Sequence, residues 1–312
     1  ILCMNKTSIM VGGQAVIEGV MMRVPGAYAT AVRISSGEIK IEKHIFRSSV
    51  EIYKLEKIPI IRGFCHLVDS MRIGFRTLEW SASFFEDHQS SSNPYVNTLM
   101  SFISIVIAIA IFMGIPYYIT EIVLARQEYI NNNNFIFNII AGTTRIAVFI
   151  LYLYLISQLK DIKRLFQYHG AEHKVVYNFE SGKPLIPEEA QKFSRKHPRC
   201  GTSFIFIIML VTIFSYAILD TIALLFINKL TIFIRFFIHL IFLPLVAGVG
   251  YEVLKFLALR QHIKIFHIFS KPGIWLQNIT TQPPNIEQIE VALYALKDAF
   301  GDKIQDCRGK TY

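Results

Sequence analysis

Charge is scarce in this chain. Of 312 residues, 18% are charged and 53% hydrophobic, and the mean hydropathy is +0.41. A soluble domain usually carries roughly 25% charged residues, so the shortage shifts the chain towards lipid. Cysteine is also sparse. Cys3, Cys65, Cys200 and Cys307 lie far apart with no C-x-x-C pair, so no disulfide framework is expected and a reducing compartment fits. The start, ILCMNKTSIMVGG, has Met4 as a candidate initiator and lacks an apolar stretch long enough for a signal peptide. Insertion is therefore expected to use an internal span. There is no G-x-x-x-x-G-K-[ST] loop to suggest direct use of ATP, and no internal repeat.

What the chain does have is long apolar runs. Residues 99–120 carry no charge, and 135–156 form a second run broken by Gly142-Thr143-Thr144-Arg145. Residues 202–227 and 230–250 give two more, separated by Asn228 and Lys229. Each is close to the roughly 20 residues that cross a bilayer, which predicts four transmembrane helices as two hairpins, 99–156 and 202–250. The first 98 residues, the 157–201 loop and the tail after Tyr251 are rich in Lys and Arg, whereas the 121–134 loop has only Arg126. By the positive-inside rule both termini and the 157–201 loop face the cytoplasm of a cell membrane. The same rule accounts for the net charge of +9 without a nucleic-acid partner.

Outside the spans, residues 11–47 read as a β unit with a hairpin turn at Ser35-Ser36-Gly37-Glu38. Gly12-Gly13 suits a tight turn or close backbone approach. Residues 58–86 read as an amphipathic helix. Arg62, His66, Asp69, Arg72, Arg76 and Glu79 make its polar side, and Ile61, Phe64, Val68, Phe75 and Leu78 its apolar side. Such a helix suits the membrane interface or an ordinary solvated surface. In the tail, 251–300, Trp275 suits an interfacial anchor and an amphipathic helix is predicted from about Ile286 to Phe300. The expected fold class is a mainly α membrane protein with four transmembrane helices. A cytosolic α+β portion would combine the N-terminal unit (11–87), the central loop (157–201) and the tail.

The chemistry concentrates in the polar stretch 168–203, which holds His169, Glu172 and His173 spaced H-x-x-E-H, then His197-Pro198-Arg199-Cys200. On a helix the first three share a face. Two imidazoles at i and i+4 can reach one ion, the arrangement of inverse zincins. In one reading His169 and His173 bind zinc with a distant carboxylate, Glu252 or Glu18, and Glu172 is the general base of a hydrolase. In a second, His169, His173, His197 and Cys200 close a structural zinc site. In a third there is no metal, and the run Arg195-Lys196-His197-Pro198-Arg199 touches anionic lipid headgroups.

Ionisable residues inside the spans mark further candidates: Arg145, Asp220, Arg235 and His239. Asp220 and Arg235 fall at similar depth and could pair. Arg145 either bonds to carbonyls between helices or serves a lipid pocket or small transporter.

The motifs GGQAVIEGVMMR, KIPIIRGFCHLVDSMRIGF, DIKRLFQYHGAEHKVVYNFE, HPRCGTSF, LPLVAGVGYE and PGIWLQNITTQPP resemble those of the YqhQ-like bacterial membrane proteins, from Gly12 to about Phe300. That family is a domain of unknown function often labelled a predicted metal-dependent enzyme. The resemblance implies an integral membrane protein and singles out Gln14, Glu18, Arg23, Arg62, His169, Glu172, His173, Lys174, His197, Arg199, Cys200 and Glu252. The leading expectation is a metal-dependent hydrolase at the cytoplasmic membrane face. The alternatives are a non-catalytic scaffold or lipid-binding protein with structural zinc, and a small transporter.

Overall fold

Four strands open the chain: β1 (Gly12–Val16), β2 (Gly19–Val24), β3 (Ala27–Arg33) and β4 (Ile39–Ile45). They pair antiparallel in sequence order. The computed structural model describes residues 9–85, 94–125, 134–198, 200–258, 260 and 264–309. The expected 35–38 turn joins β3 to β4, with Gly37 at φ +87°, a conformation glycine adopts at no steric cost. The β1–β2 turn instead puts Glu18 at φ +52°, uncommon for a residue with a side chain.

Beyond the sheet the main helices are α1 (Pro59–Ala82), α2 (Pro94–Ile109), α3 (Ile115–Ala125), α4 (Asn134–Ile156) and α5 (Lys160–Glu180). They are followed by α6 (Gly201–Ala223), α7 (Ile232–Ala258), α8 (Lys264–Thr280) and α9 (Ile286–Phe300). A π-helical turn, Ala110–Gly114, joins α2 to α3 just before Pro116, where the missing N–H and the ring disturb the regular ladder.

Strands β2 and β3 are buried on both faces, which is why they read as nearly continuous apolar runs. Val20, Met22, Val24, Ala29 and Ala31 share a core with Val175 and Phe179 of α5 and Ile289, Leu293 and Leu296 of α9. Met21 and Tyr28 point the other way, against Ile73 of α1. Helix α9 begins at a capping box in which Asn285 and Gln288 satisfy each other's backbone N–H. Its apolar stripe then closes the sheet.

Four helical stretches are long and apolar enough to cross a membrane: Thr98–Val123, Phe135–Ile156, Ile205–Ala223 and Phe233–Leu257. The chain is a mainly helical membrane protein with a four-stranded N-terminal sheet. Three expectations need correction. The third apolar helix ends at Ala223, and the fourth runs from Ile232 to Ala258, so it does not stop at 250. Gly248 and Gly250 do not end that helix. A Cβ on Gly248 would lie 2.5 Å from the Ile60 carbonyl oxygen, and one on Gly250 2.9 Å from Ile208. These glycines let neighbouring helices approach. Second, the tail, for which only the 286–300 helix was expected, holds another: the segment around Trp275 is helical, as α8, and packs on α6 and α4. Third, Cys307 is disulfide-bonded, against the expectation from cysteine spacing. Sequence separation does not report which distant segments the fold brings together.

Helix α1 turns its small and polar positions inward. Gly63, Asp69, Gly74, Thr77 and Ser81 are buried, while Ile61, Phe64, Val68, Met71 and Phe75 are exposed. Asp69 accepts from the backbone N–H and the hydroxyl of Ser49 at 2.7 and 2.5 Å. Gly63 faces Gly248 across the α1–α7 contact. We expect Gly248→Ala to cost about 1–3 kcal/mol, because the added methyl meets the Ile60 carbonyl oxygen as well as its Cγ2, and backbone cannot swing aside. Thermal unfolding in detergent checks this, and an unchanged midpoint would refute the close contact.

Candidate metal centre

Helix α5 carries His169, Glu172 and His173 on one face, with Glu172 and His173 buried and His169 half-buried, and two glycines admit what surrounds them. At Gly170 a Cβ would stand 2.3 Å from the Gln282 carbonyl oxygen, so its absence lets the segment after α8 cross α5. The Thr280 carbonyl thereby accepts from His169 Nδ1 at 2.7 Å. At Gly13 a Cβ would stand 2.8 Å from Glu172 Cγ. Only glycine lets β1 come so close, and the Gly13 N–H donates to the Glu172 carboxylate.

The other wall is the segment between the short helix Pro187–Gln191 and α6. Lys174 on α5 donates to the carbonyls of Gln191 and Phe193, each at 2.6 Å. Arg195 donates to the Thr281 carbonyl at 2.8 Å. Gln277 grips the His197 backbone at both ends: its Oε1 accepts from the amide N–H and its Nε2 donates to the carbonyl, both at 2.8 Å. Held this way, the segment delivers two groups. The Arg195 carbonyl accepts from His173 Nδ1 at 2.5 Å, and Cys200 Sγ lies 3.2 Å from His169 Nε2.

With both Nδ1–H groups donated to carbonyls, each imidazole presents a lone pair at Nε2. Backbone carbonyls commonly orient metal-binding histidines in this manner. The donor atoms of His169, His173 and Cys200 all lie within 4.8 Å of one another. Donors held about 2.0–2.3 Å from one ion at tetrahedral angles stand roughly 3.3–3.8 Å apart. The trio therefore fits a divalent ion after a small contraction. Glu172 Oε2 is 3.4 Å from His173 Nε2, beside the position such an ion would take. Burial lowers the His173 and His197 pKa values, favouring neutral imidazole, and raises that of Glu172.

The remaining sequence candidates lie elsewhere. Glu252 is not with the histidines: Arg62 Nε and Nη2 engage both of its oxygens, at 2.8 and 2.5 Å. Glu18 is engaged by Arg164 and by the Tyr168 hydroxyl. His197 is buried, with its ring against Tyr177 at 4.5 Å and its Nε2 3.7 Å from Glu180. It lies next to the trio but is not among its donors. Gln14 reaches the Gly74 carbonyl at 3.5 Å and ties β1 to α1. Arg23 stacks over Phe46. Arg199 falls outside the described residues. Gln277 was not singled out from sequence, although it stands in the PGIWLQNITTQPP motif; it is fully buried in the structure.

The second polar cluster lies among the spans. Asp220 on α6 accepts from Arg235 at 2.5 Å, from Asn138 Nδ2 at 2.7 Å and from His239 Nε2 at 2.9 Å. Because His239 donates from Nε2, its Nδ1 accepts from the Tyr117 hydroxyl. Tyr216 stacks on the His239 ring at 3.8 Å and donates to its carbonyl at 3.1 Å.

The profile described as "Protein of unknown function (DUF1385)" matches residues 58–302. The protein described as "Uncharacterized protein YqhQ" of Bacillus subtilis (strain 168) is 30% identical over 308 residues, covering 94% of this chain and 93% of its own. No solved structure matches.

Proposed function

Since the chain belongs to the DUF1385 family, whose description carries no activity, we propose a function from the site itself: metal-dependent hydrolysis at the membrane surface. The observation that carries this is the convergence of His169 Nε2, His173 Nε2 and Cys200 Sγ beside Glu172. Three protein donors leave a fourth position open, as in catalytic rather than structural zinc sites. A zinc-like ion there would supply Lewis-acid chemistry, polarising a substrate oxygen and acidifying water. The chain's own part is then clear. Glu172, buried and held by the Gly13 N–H, takes and returns a proton at Oε2. The Thr280 and Arg195 carbonyls fix the imidazoles, and the Gln277 clamp holds the Cys200 segment.

The Lys and Arg distribution supports a cell-membrane protein with both termini and this centre on the cytoplasmic side. The outward apolar stripe of α1, flanked by Arg72 and Arg76, supports contact with the bilayer surface and its anionic headgroups.

A structural zinc site is the second reading, favoured by the burial of His173, Cys200 and Glu172. Loading the purified chain with Co(II) separates the two. An open site should change its visible spectrum on adding azide; a closed one should not. In Glu172→Gln the metal content should stay at the wild-type level while the pH dependence of the cobalt spectrum shifts. If Glu172→Gln loses the metal, the carboxylate is a fourth ligand and the hydrolytic reading fails.

A further inference from the structure

Within the span cluster Arg145 is hydrogen-bonded to the Tyr117 side chain, yet one edge of its guanidinium is left over among the described residues. Its Nε and Nη2 atoms are buried and have no hydrogen-bond partner, so the carbonyls that a mid-membrane arginine could use between helices are not reached from this edge. Aromatic rings flank the group: its guanidinium carbon lies 4.6 Å from the Tyr117 ring centre and 5.8 Å from that of Tyr216. The charges nearby do not balance it. Asp220 is already engaged by Arg235 at 2.5 Å, so one positive charge stays uncompensated among these described residues.

The edge concerned is the one that binds oxyanions. Nε–H and the adjacent Nη2–H form a planar fork matched to two oxygens on one centre. The same chain uses this fork twice on carboxylates, Arg62 on Glu252 and Arg164 on Glu18. Ionisable residues at such depth face a bundle interior or cavity and mark binding sites.

We propose that Arg145 seats an oxyanion, a phosphate, between the membrane helices, with Tyr117 and Tyr216 as its aromatic walls. The π-helical turn Ala110–Gly114 and Pro116 directly precede Tyr117, so a local irregularity of the first span sets one wall of the seat. This site is separate from the His/Cys centre and stands whether or not that centre holds a metal.

The phosphate can come from a lipid headgroup or from solution, and one experiment distinguishes them. Full-length protein in detergent is titrated with phosphatidylglycerol, with diacylglycerol of the same chains, and with inorganic phosphate, reading thermal stabilisation and bound ligand by native mass spectrometry. A lipid source predicts that phosphatidylglycerol binds the wild type, that Arg145→Gln binds at least tenfold more weakly, and that diacylglycerol shows no such difference. A solution source predicts the same contrast with inorganic phosphate alone. Arg145→Lys keeps the charge but loses the fork, and should also bind severalfold more weakly; it serves as the test if the Gln variant does not fold. Equal binding of phosphatidylglycerol and of phosphate by wild type and the folded variants, including no binding by any, would overturn the proposal.

Discussion

Purified wild-type protein is expected to hold about one divalent ion per chain, and His173→Ala close to none, because the site has only three donors and ligand loss removes its affinity. Cys200→Ser should behave similarly, since Cys200 Sγ stands 3.2 Å from His169 Nε2 on the side opposite the helix. Glu252→Gln should keep the ion, because both Glu252 oxygens already serve Arg62. Chelation gives a second readout. A ligand that binds only the folded state stabilises by about 4 kcal/mol at a thousandfold excess over its dissociation constant. A chelator should therefore lower the wild-type unfolding temperature and leave His173→Ala unmoved. Metal content by mass spectrometry alongside thermal unfolding tests this. Equal metal in wild type and His173→Ala, or loss in Glu252→Gln, would sink the three-donor assignment.

The contrast between Cys200 and Glu252 shows what was legible in the sequence. His169, Glu172 and His173 share a face because they sit on one helix, and helical spacing is written in the chain. The third member of the candidate trio is not local. Cys200 and Glu252 were both plausible by residue type, and the difference lies in which one the fold brings to His169 and His173. Arg62 claims Glu252 through the α1–α7 contact, while Gln277, from a tail segment to which the sequence reading assigned no helix, holds the segment that delivers Cys200. The glycines were legible only as glycines. Gly13, Gly170 and Gly248 each mark a backbone approach, yet nothing in their neighbours says what approaches. The β3–β4 turn and α9 were readable because turn residues, capping residues and apolar period agree locally.

Asp220→Asn should produce the largest loss of stability among the intramembrane variants, about 3–5 kcal/mol, the usual cost of leaving one member of a buried ion pair uncompensated. The reasoning runs through bond accounting. Asp220 is fully buried and accepts three hydrogen bonds, from Arg235, Asn138 and His239. An amide in its place keeps one acceptor oxygen and presents an NH2 group to donors. Arg235, itself buried and stacked 4.1 Å over Phe137, then keeps its charge with no counter-charge in the pair. His239 would also lose the bond that fixes its Nε2–H tautomer, and with it the reason for the Tyr117 hydroxyl to donate to Nδ1. Removing both charges should recover part of the loss: Asp220→Asn with Arg235→Gln should be more stable than the sum of the two single effects. Thermal unfolding of the four proteins in one detergent closes that cycle. Additive effects, or a loss below about 1 kcal/mol for Asp220→Asn, would mean that the pair does not hold the spans together. A non-additive result would place the structural charge pair at Asp220 and Arg235, with Arg145 set against the Tyr117 and Tyr216 rings rather than against Asp220.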